Sequence, residues 1–276
     1  GSSGVQATPV VAEQAKQLFV FQRSAAYTRP AMNRPLEPGE LEAAKKRYPE
    51  IREAQRKQHG GLLAFGALSS VQVPPERKIL EASAEERMQA LDELGWSAPM
   101  AWADVMMDEK ANQAGTELYG ELIRRVVKDP AVAEALVPHY PMGCKRPILD
   151  TGYFEAFNRD NVRLVDLRKG GITAITPTGI QTEQGHFEVD VILYATGFDA
   201  MTGALSRIDI RGRNGQLLRD YWAAEGPRTY LGLQIAGFPN LFTVTGPGSP
   251  SVLANMVMGI EHHVDWIADC ITHIRA

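Results

Sequence analysis

Two short clusters in this 276-residue chain carry residue types suited to gripping a phosphorylated dinucleotide, and a third holds an adjacent basic pair. The first, Gly1-Ser2-Ser3-Gly4, has the form of the last four positions of a GxGxxG fingerprint. Glycines there allow a tight turn and let backbone N–H groups approach a pyrophosphate at a helix N-terminus. Gly-Ser-Ser-Gly also has the form of a linker scar. The sequel favours the fingerprint: an alanine-rich helical pattern over Val5 to Ala15 and the β-prone run Leu18-Phe19-Val20-Phe21 follow at once, the order a nucleotide-binding βαβ unit requires. Val5 and Gln6, in the first turn of that helix, are grouped with the glycines as cofactor-binding positions. The second cluster closes the strand. NAD-binding units place an acidic residue there, about 20 residues after the glycines, to bond the ribose hydroxyls. Here the chain reads Gln22-Arg23-Ser24. A guanidinium beside a hydroxyl suits a 2′-phosphate, which Arg grips bidentately, so the expected cofactor is NADP(H). The alternative for Arg23 is a solvated surface charge. The third cluster is the adjacent pair Lys145-Arg146, which composition alone assigns to an exposed loop.

These clusters need elements to position them. Helix and strand flank the first two, and Pro30, Pro35 and Pro38 then interrupt regular structure. Helical periodicity predicts a long helical region from about Glu40 to Leu136, with Ser83 and Glu86 as a capping box and Asp129-Pro130 as a cap followed by proline at a helix start. Strands are predicted at Val162 to Val165, Ile172 to Ile175, around Ile180, and at Val189 to Tyr194, an almost continuous apolar run that suits a strand buried on both faces. Asn214-Gly215, between Arg207–Ile210 and Leu217-Leu218, predicts a hairpin turn. A further strand at Leu241 to Val244 leads into Gly246-Pro247-Gly248, and helical spacing resumes from about Ser251 to Ile274. Strands alternating with helices around glycine-rich turns indicate an α/β doubly wound fold.

Composition narrows the partners. With 29 basic and 33 acidic residues in mixed order there is no broad basic face for nucleic acid or anionic lipid, so neither is expected. Cys144 and Cys270 lack CxxC or metal-ligand spacing, which points to a cytoplasmic chain without disulfides and speaks against disulfide-reductase chemistry. The adjacent His262 and His263 point in different directions on a helix and do not make an i, i+4 metal pair, so no metal is expected. No apolar stretch reaches the roughly 20 residues of a membrane helix. Gly1 in place of Met, and Ala276 at the end of a helical pattern with no cap beyond it, lead us to expect breaks in a longer protein at both ends.

Tyr140-Pro141-Met142-Gly143-Cys144-Lys145-Arg146-Pro147, followed by Asp150-Thr151-Gly152-Tyr153-Phe154 and Asn158-Arg159-Asp160-Asn161, resembles the segment that begins with a Lys-Arg pair in Baeyer–Villiger monooxygenases of the cyclohexanone and phenylacetone type. The likeness runs over essentially the whole chain. Phe21-Gln22-Arg23-Ser24, Ala195-Thr196-Gly197-Phe198-Asp199 and Gly246-Pro247-Gly248-Ser249-Pro250 stand in the family's order. The resemblance implies a two-dinucleotide-binding-domain flavoprotein fold of the α/β class. Residues 1–194 would form a Rossmann-like NADP-binding domain with a helical insert at about 38–137, and 195–276 a returning part of the FAD-binding domain. The family's N-terminal FAD motif and C-terminal stretch are not in this sequence, so the full-length protein is expected to bind FAD tightly and this segment alone to bind it poorly.

The same resemblance implies that NADP and FAD are the cofactors, a small ketone and molecular oxygen the substrates, and an ester or lactone the product. It places Arg146 beside the flavin ring and the nicotinamide as the catalytic residue. A permanent cation suits the stabilisation of a C4a-peroxyflavin anion and of the negatively charged addition intermediate that follows attack on the ketone. Lys145 would join Arg23 and Ser24 at the 2′-phosphate. Met256 would face FAD, with Val252 and Leu253 lining the substrate pocket; on spacing alone, a core-facing helix is the rival account for Leu253 and Met256. The loop and helix start from Gly246 to Met256 would also offer N–H groups to the flavin. The Gly-Pro-Gly-Ser-Pro-Ser wording is nearer the phenylacetone and steroid types than the cyclohexanone type. An N- or S-oxygenating flavin monooxygenase shares both dinucleotide folds and is the alternative within flavoenzymes; a non-catalytic nucleotide-binding fragment is the alternative outside them.

Overall fold

The computed structural model describes residues 1–57, 76–250 and 254–276. In chain order the elements are α1 (Ser2–Gln14), β1 (Leu18–Gln22), β2 (Thr28–Pro30), α2 (Glu40–Lys46), α3 (Tyr48–Lys57), α4 (Ala84–Leu94), a 3-10 segment (Gly95–Met100), α5 (Glu109–Val126), α6 (Pro130–Ala135), β3 (Ile148–Asp150) and α7 (Tyr153–Ala156). They continue with β4 (Val162–Asp166), β5 (Ile172–Thr176), β6 (Gly179–Thr182), β7 (Gly185–Glu188), α8 (Gly203–Ser206), a short 3-10 turn (Arg213–Gly215), α9 (Leu218–Glu225) and α10 (Met256–Arg275). The chain divides into two compact units, Gly1–Arg34 with Ser70–Gly197, and Pro35–Ser69 with Phe198–Ala276.

In the first unit β1 pairs in parallel with β4, from Leu18 opposite Val162 to Gln22 opposite Asp166. A second parallel pair joins β2 to β3, Thr28 opposite Ile148 and Pro30 opposite Asp150. Parallel neighbours need a crossover; α4 to α6 lie between β2 and β3 in the chain. A three-stranded antiparallel meander, β5-β6-β7, follows. It is tied back to β1 by Phe187, whose ring meets Phe19 and Phe21 edge-on at 5.2 and 5.3 Å. α5 buries Ala111, Ala114, Gly115, Leu118, Tyr119, Leu122 and Ile123, a stripe at three- and four-residue spacing. Against it lies a slab of rings: Trp96 stacks on Phe154 at 5.2 Å, and Tyr119 meets Tyr27 edge-on at 4.9 Å.

Local signals set the helix ends. The Ser83–Glu86 capping box forms in both directions at the start of α4, and the Asp129 carboxylate accepts from Ala131 and Val132 N–H ahead of Pro130 at the start of α6. Among the described residues, the region expected to be helical from about Glu40 to Leu136 holds separate helices, of which α2 and α3 lie in the second unit and α4 to α6 in the first. In the second unit a small core of Leu218, Trp222, Ile235 and Phe238 forms under α9, and Arg52 of α3 pairs with Glu261 of α10. Asn214 and Gly215 both take positive φ, 58° and 74°, as the expected Asn-Gly turn requires. A bridge from Arg211 to Leu217 closes it, and Leu218 then enters α9 instead of continuing a strand.

Two expected strands are absent. Val189 to Tyr194 forms no strand, and Val191, Leu193 and Tyr194 stand 81%, 66% and 69% exposed. An apolar run specifies burial but not the partner, and among the described residues no strand runs alongside this one, so it stays irregular and exposed. Leu241 to Val244 likewise forms only an isolated bridge, Phe242 to Gln234. No described helix is long and apolar enough to cross a membrane.

Candidate functional site

The glycine cluster forms the start of α1, with Gly1 as N-cap and no side-chain cap. The leading N–H groups of a 13-residue helix are therefore left without side-chain acceptors, the arrangement that favours an anion. Ser2, Ser3 and Gln6 are exposed, Gly4 is half-buried, and Val5 is buried in the core. Gln6 reaches the Leu149 carbonyl, 3.4 Å away on β3.

Arg23 and Ser24 follow the last residue of β1 and are exposed. The strand end is fixed by Gln22, whose buried amide donates to the Ala135 carbonyl at 2.8 Å. The positive charges of Lys145 and Arg23 both act at Gly1, the N-cap of α1. Both cations thus lie within electrostatic reach of the start of α1, although 122 positions separate them in sequence (145 − 23). With the helix dipole they make a positive mouth. The donor set fits a pyrophosphate with an additional phosphate dianion.

Lys145 and Arg146 are exposed. Lys145 Nζ lies 4.4 Å from the centre of the Tyr140 ring, while Arg146 makes no hydrogen bond or ion pair among the described residues. Downstream, Asp150 is buried at the end of β3. Its Oδ2 accepts from Thr28 Oγ1 at 2.9 Å and its Oδ1 from Tyr153 N–H at 2.7 Å. Tyr119 completes the knot: its hydroxyl accepts from Thr28 N–H at 2.6 Å and donates to the Thr28 carbonyl at 3.1 Å. Burial pushes the Tyr119 and Tyr153 phenols well above the usual range, so both stay protonated near neutrality. Asp150, Thr28 and Tyr119 were not singled out by sequence reasoning. The available signal was the Asp150-Thr151-Gly152-Tyr153 spacing, an Asp three residues ahead of a helix N–H.

In the second unit Met256 opens α10 and is half-buried. The Asn255 side chain accepts from Val257 and Met258 N–H, at 3.1 and 3.5 Å. Those two donors are therefore already engaged. Val252 and Leu253 lie outside the described residues. The glycine-rich loop before them is latched by Thr229 Oγ1 to the Pro247 carbonyl at 2.5 Å and by Thr243 Oγ1 to the Gly232 carbonyl at 2.7 Å. Among the described residues, Ser249 Oγ is buried there without a hydrogen-bond partner. His263 is buried and its Nδ1 accepts from Thr245 N–H at 2.9 Å, whereas His262 is exposed.

No family model matches the chain. Curated relatives do. It is 40% identical over 284 residues to 2-oxo-Δ3-4,5,5-trimethylcyclopentenylacetyl-CoA monooxygenase of Pseudomonas putida, covering all of this chain and 50% of that protein. It is 38% identical over 279 residues to a Baeyer–Villiger monooxygenase of Pseudooceanicola batsensis, covering 98% and 49%. Among solved structures, a steroid monooxygenase bound to NADP superposes with TM-score 0.85 at 49% identity, over all of this chain and 52% of that one. A complex of OTEMO with FAD and NADP superposes with TM-score 0.86 at 39% identity, over 100% and 50%. The chain spans about half the length of the relatives it matches. In sequence and in its α/β two-dinucleotide-binding architecture, the chain belongs to the Baeyer–Villiger monooxygenase family.

Proposed function

We propose that the protein is a cytoplasmic NADPH- and FAD-dependent Baeyer–Villiger monooxygenase that inserts an oxygen atom beside a ketone carbonyl, giving an ester or lactone. Residues 1–194 act as the NADP-binding domain and 195–276 as part of the FAD-binding domain. The observation that carries the reading is the likeness over the whole chain, at 49% identity and TM-score 0.85, to a steroid monooxygenase bound to NADP; the cations Arg23 and Lys145, both felt at the start of α1, agree with it. A dinucleotide held by Lys145 would lie beside the next residue, Arg146. Arg23, Ser24 and Lys145 hold the 2′-phosphate, while Gly1 to Gly4, Val5 and Gln6 line the pyrophosphate side of the site. Ser249, Met256, Val252 and Leu253 belong to the flavin and ketone side. When bound, FAD supplies the redox chemistry that activates oxygen.

Arg146 has a narrower task. Its guanidinium is not engaged by any described acidic side chain. It is thus free to stabilise negative charge on the activated oxygen and on the tetrahedral adduct with the ketone. Removing a donor of this kind costs about a hundredfold or more in turnover. The test is ketone-to-ester conversion by the complete protein and its Arg146→Ala variant, with NADP+ affinity measured in parallel. Turnover should fall at least about a hundredfold. Equal rates would refute the role.

A further inference from the structure

The exposed Lys145-Arg146 pair has to be held in place by something other than its own packing. Upstream, Pro141 to Cys144 forms a tight turn in which Cys144 N–H donates to the Pro141 carbonyl at 3.2 Å. Gly143 sits at its third position with φ +94°, a conformation suited to glycine. Asn112, on α5, clasps the second position from both sides: its Oδ1 accepts from Met142 N–H at 2.8 Å and its Nδ2 donates to the Met142 carbonyl at 2.9 Å. The same Nδ2 donates to the Val105 carbonyl at 2.9 Å, which fixes the orientation of the amide.

A second brace lies one turn along α5. Thr116 Oγ1 lies 2.9 Å from the Asn112 carbonyl and 2.8 Å from the Tyr27 hydroxyl, which is 3.0 Å from the Tyr140 carbonyl, so the two hydroxyl protons serve two of these three contacts at a time. Tyr140 is the ring beneath Lys145. Downstream, Ile148 N–H donates to the Tyr27 carbonyl, where β3 begins. Lys145 and Arg146 are thus spanned between an Asn112-held turn and a paired strand.

We propose that Asn112 is a positioning residue for NADP recognition: by clasping Met142 it sets where Lys145 stands relative to the 2′-phosphate. The inference rests on the assignment of Lys145 given above. It requires Asn112 to act through Lys145, which a merely structural residue would not do.

The experiment is calorimetric titration of NADP+ and of NAD+ into the complete FAD-loaded protein, for the wild type, Lys145→Ala, Asn112→Ala and the double variant. Asn112→Ala should weaken NADP+ about tenfold and NAD+ less than about twofold, because only NADP+ carries the phosphate. In the Lys145→Ala background, Asn112→Ala should cause no further loss. Equal weakening of both coenzymes, or an undiminished loss without Lys145, overturns the proposal. If Lys145→Ala lowers the preference for NADP+ and Asn112→Ala does not, the proposal falls and the Lys145 assignment stands. If Lys145→Ala leaves the preference unchanged, both fall. Should Asn112→Ala fail to fold, Asn112→Asp, which keeps the acceptor and the size but loses the donor, and Gly143→Ala, which strains the turn, must lower the preference in its place.

Discussion

Removing the Asp150 carboxylate tests whether a buried acceptor holds together the strands behind the cationic loop. Asp150 and Thr28 are 8% and 3% exposed, and Tyr153 is 6% exposed, so water cannot readily replace a lost bond. Asp150→Ala deletes two hydrogen bonds to a charged acceptor, each worth about 1.5–3 kcal/mol. Two effects lower that sum. The Thr28 hydroxyl can turn to the Tyr119 oxygen, 3.3 Å away, and the variant no longer buries a carboxylate. The Tyr153 N–H has no such substitute and keeps its full cost. We expect a net loss of about 3 kcal/mol, equivalent to roughly 6–12 °C in Tm for a unit of this size.

Asp150→Asn supplies the contrast. Its Oδ1 still accepts from Tyr153 and its amide can donate to the Thr28 hydroxyl, so only the charge assistance goes, about 1 kcal/mol. Scanning calorimetry and urea denaturation of the two variants against the wild type make the measurement. An alanine variant within about 1 kcal/mol of the wild type, or indistinguishable from the asparagine variant, would refute the reasoning.

A pH effect is expected at His263. Burial, followed by the neighbouring His262, lowers its pKa below the usual 6.5, and its Nδ1 must stay unprotonated to accept from Thr245. The stability it contributes is complete above pH 6.5 and is lost as pH falls through the depressed folded value. Hydrogen-exchange protection of the Thr245 amide should fall on that limb, and a protection factor unchanged from pH 7 to well below 6 would count against it. At the start of α4, Ser83→Ala should cost about 1 kcal/mol by loss of the cap; unaltered denaturation midpoints would show that the box contributes nothing.

Features that depend on neighbours in sequence were the legible ones. The Ser83 box, the Asp129-Pro130 start, the Asn214-Gly215 turn and the β1 and β4 strands stand where local chemistry put them, because caps and turns are satisfied within a few residues. Val189 to Tyr194 forms no strand because a nearly continuous apolar run reports a preference for burial, while strand formation needs a partner edge. The site divided similarly. Arg23, Lys145 and Arg146 were visible by type and by family resemblance. Asn112 meets Met142 across 30 positions and Thr28 meets Asp150 across 122, and such pairings leave no periodic trace.

The exposed run at Val191, Leu193 and Tyr194 has a practical side. An apolar ribbon with free backbone amides is a template for any other unpaired ribbon, including its counterpart on a second molecule. A preparation of this stretch by itself should therefore cloud with rising concentration, and a lysine introduced at Val191 or Leu193 should delay the clouding without touching the cationic mouth.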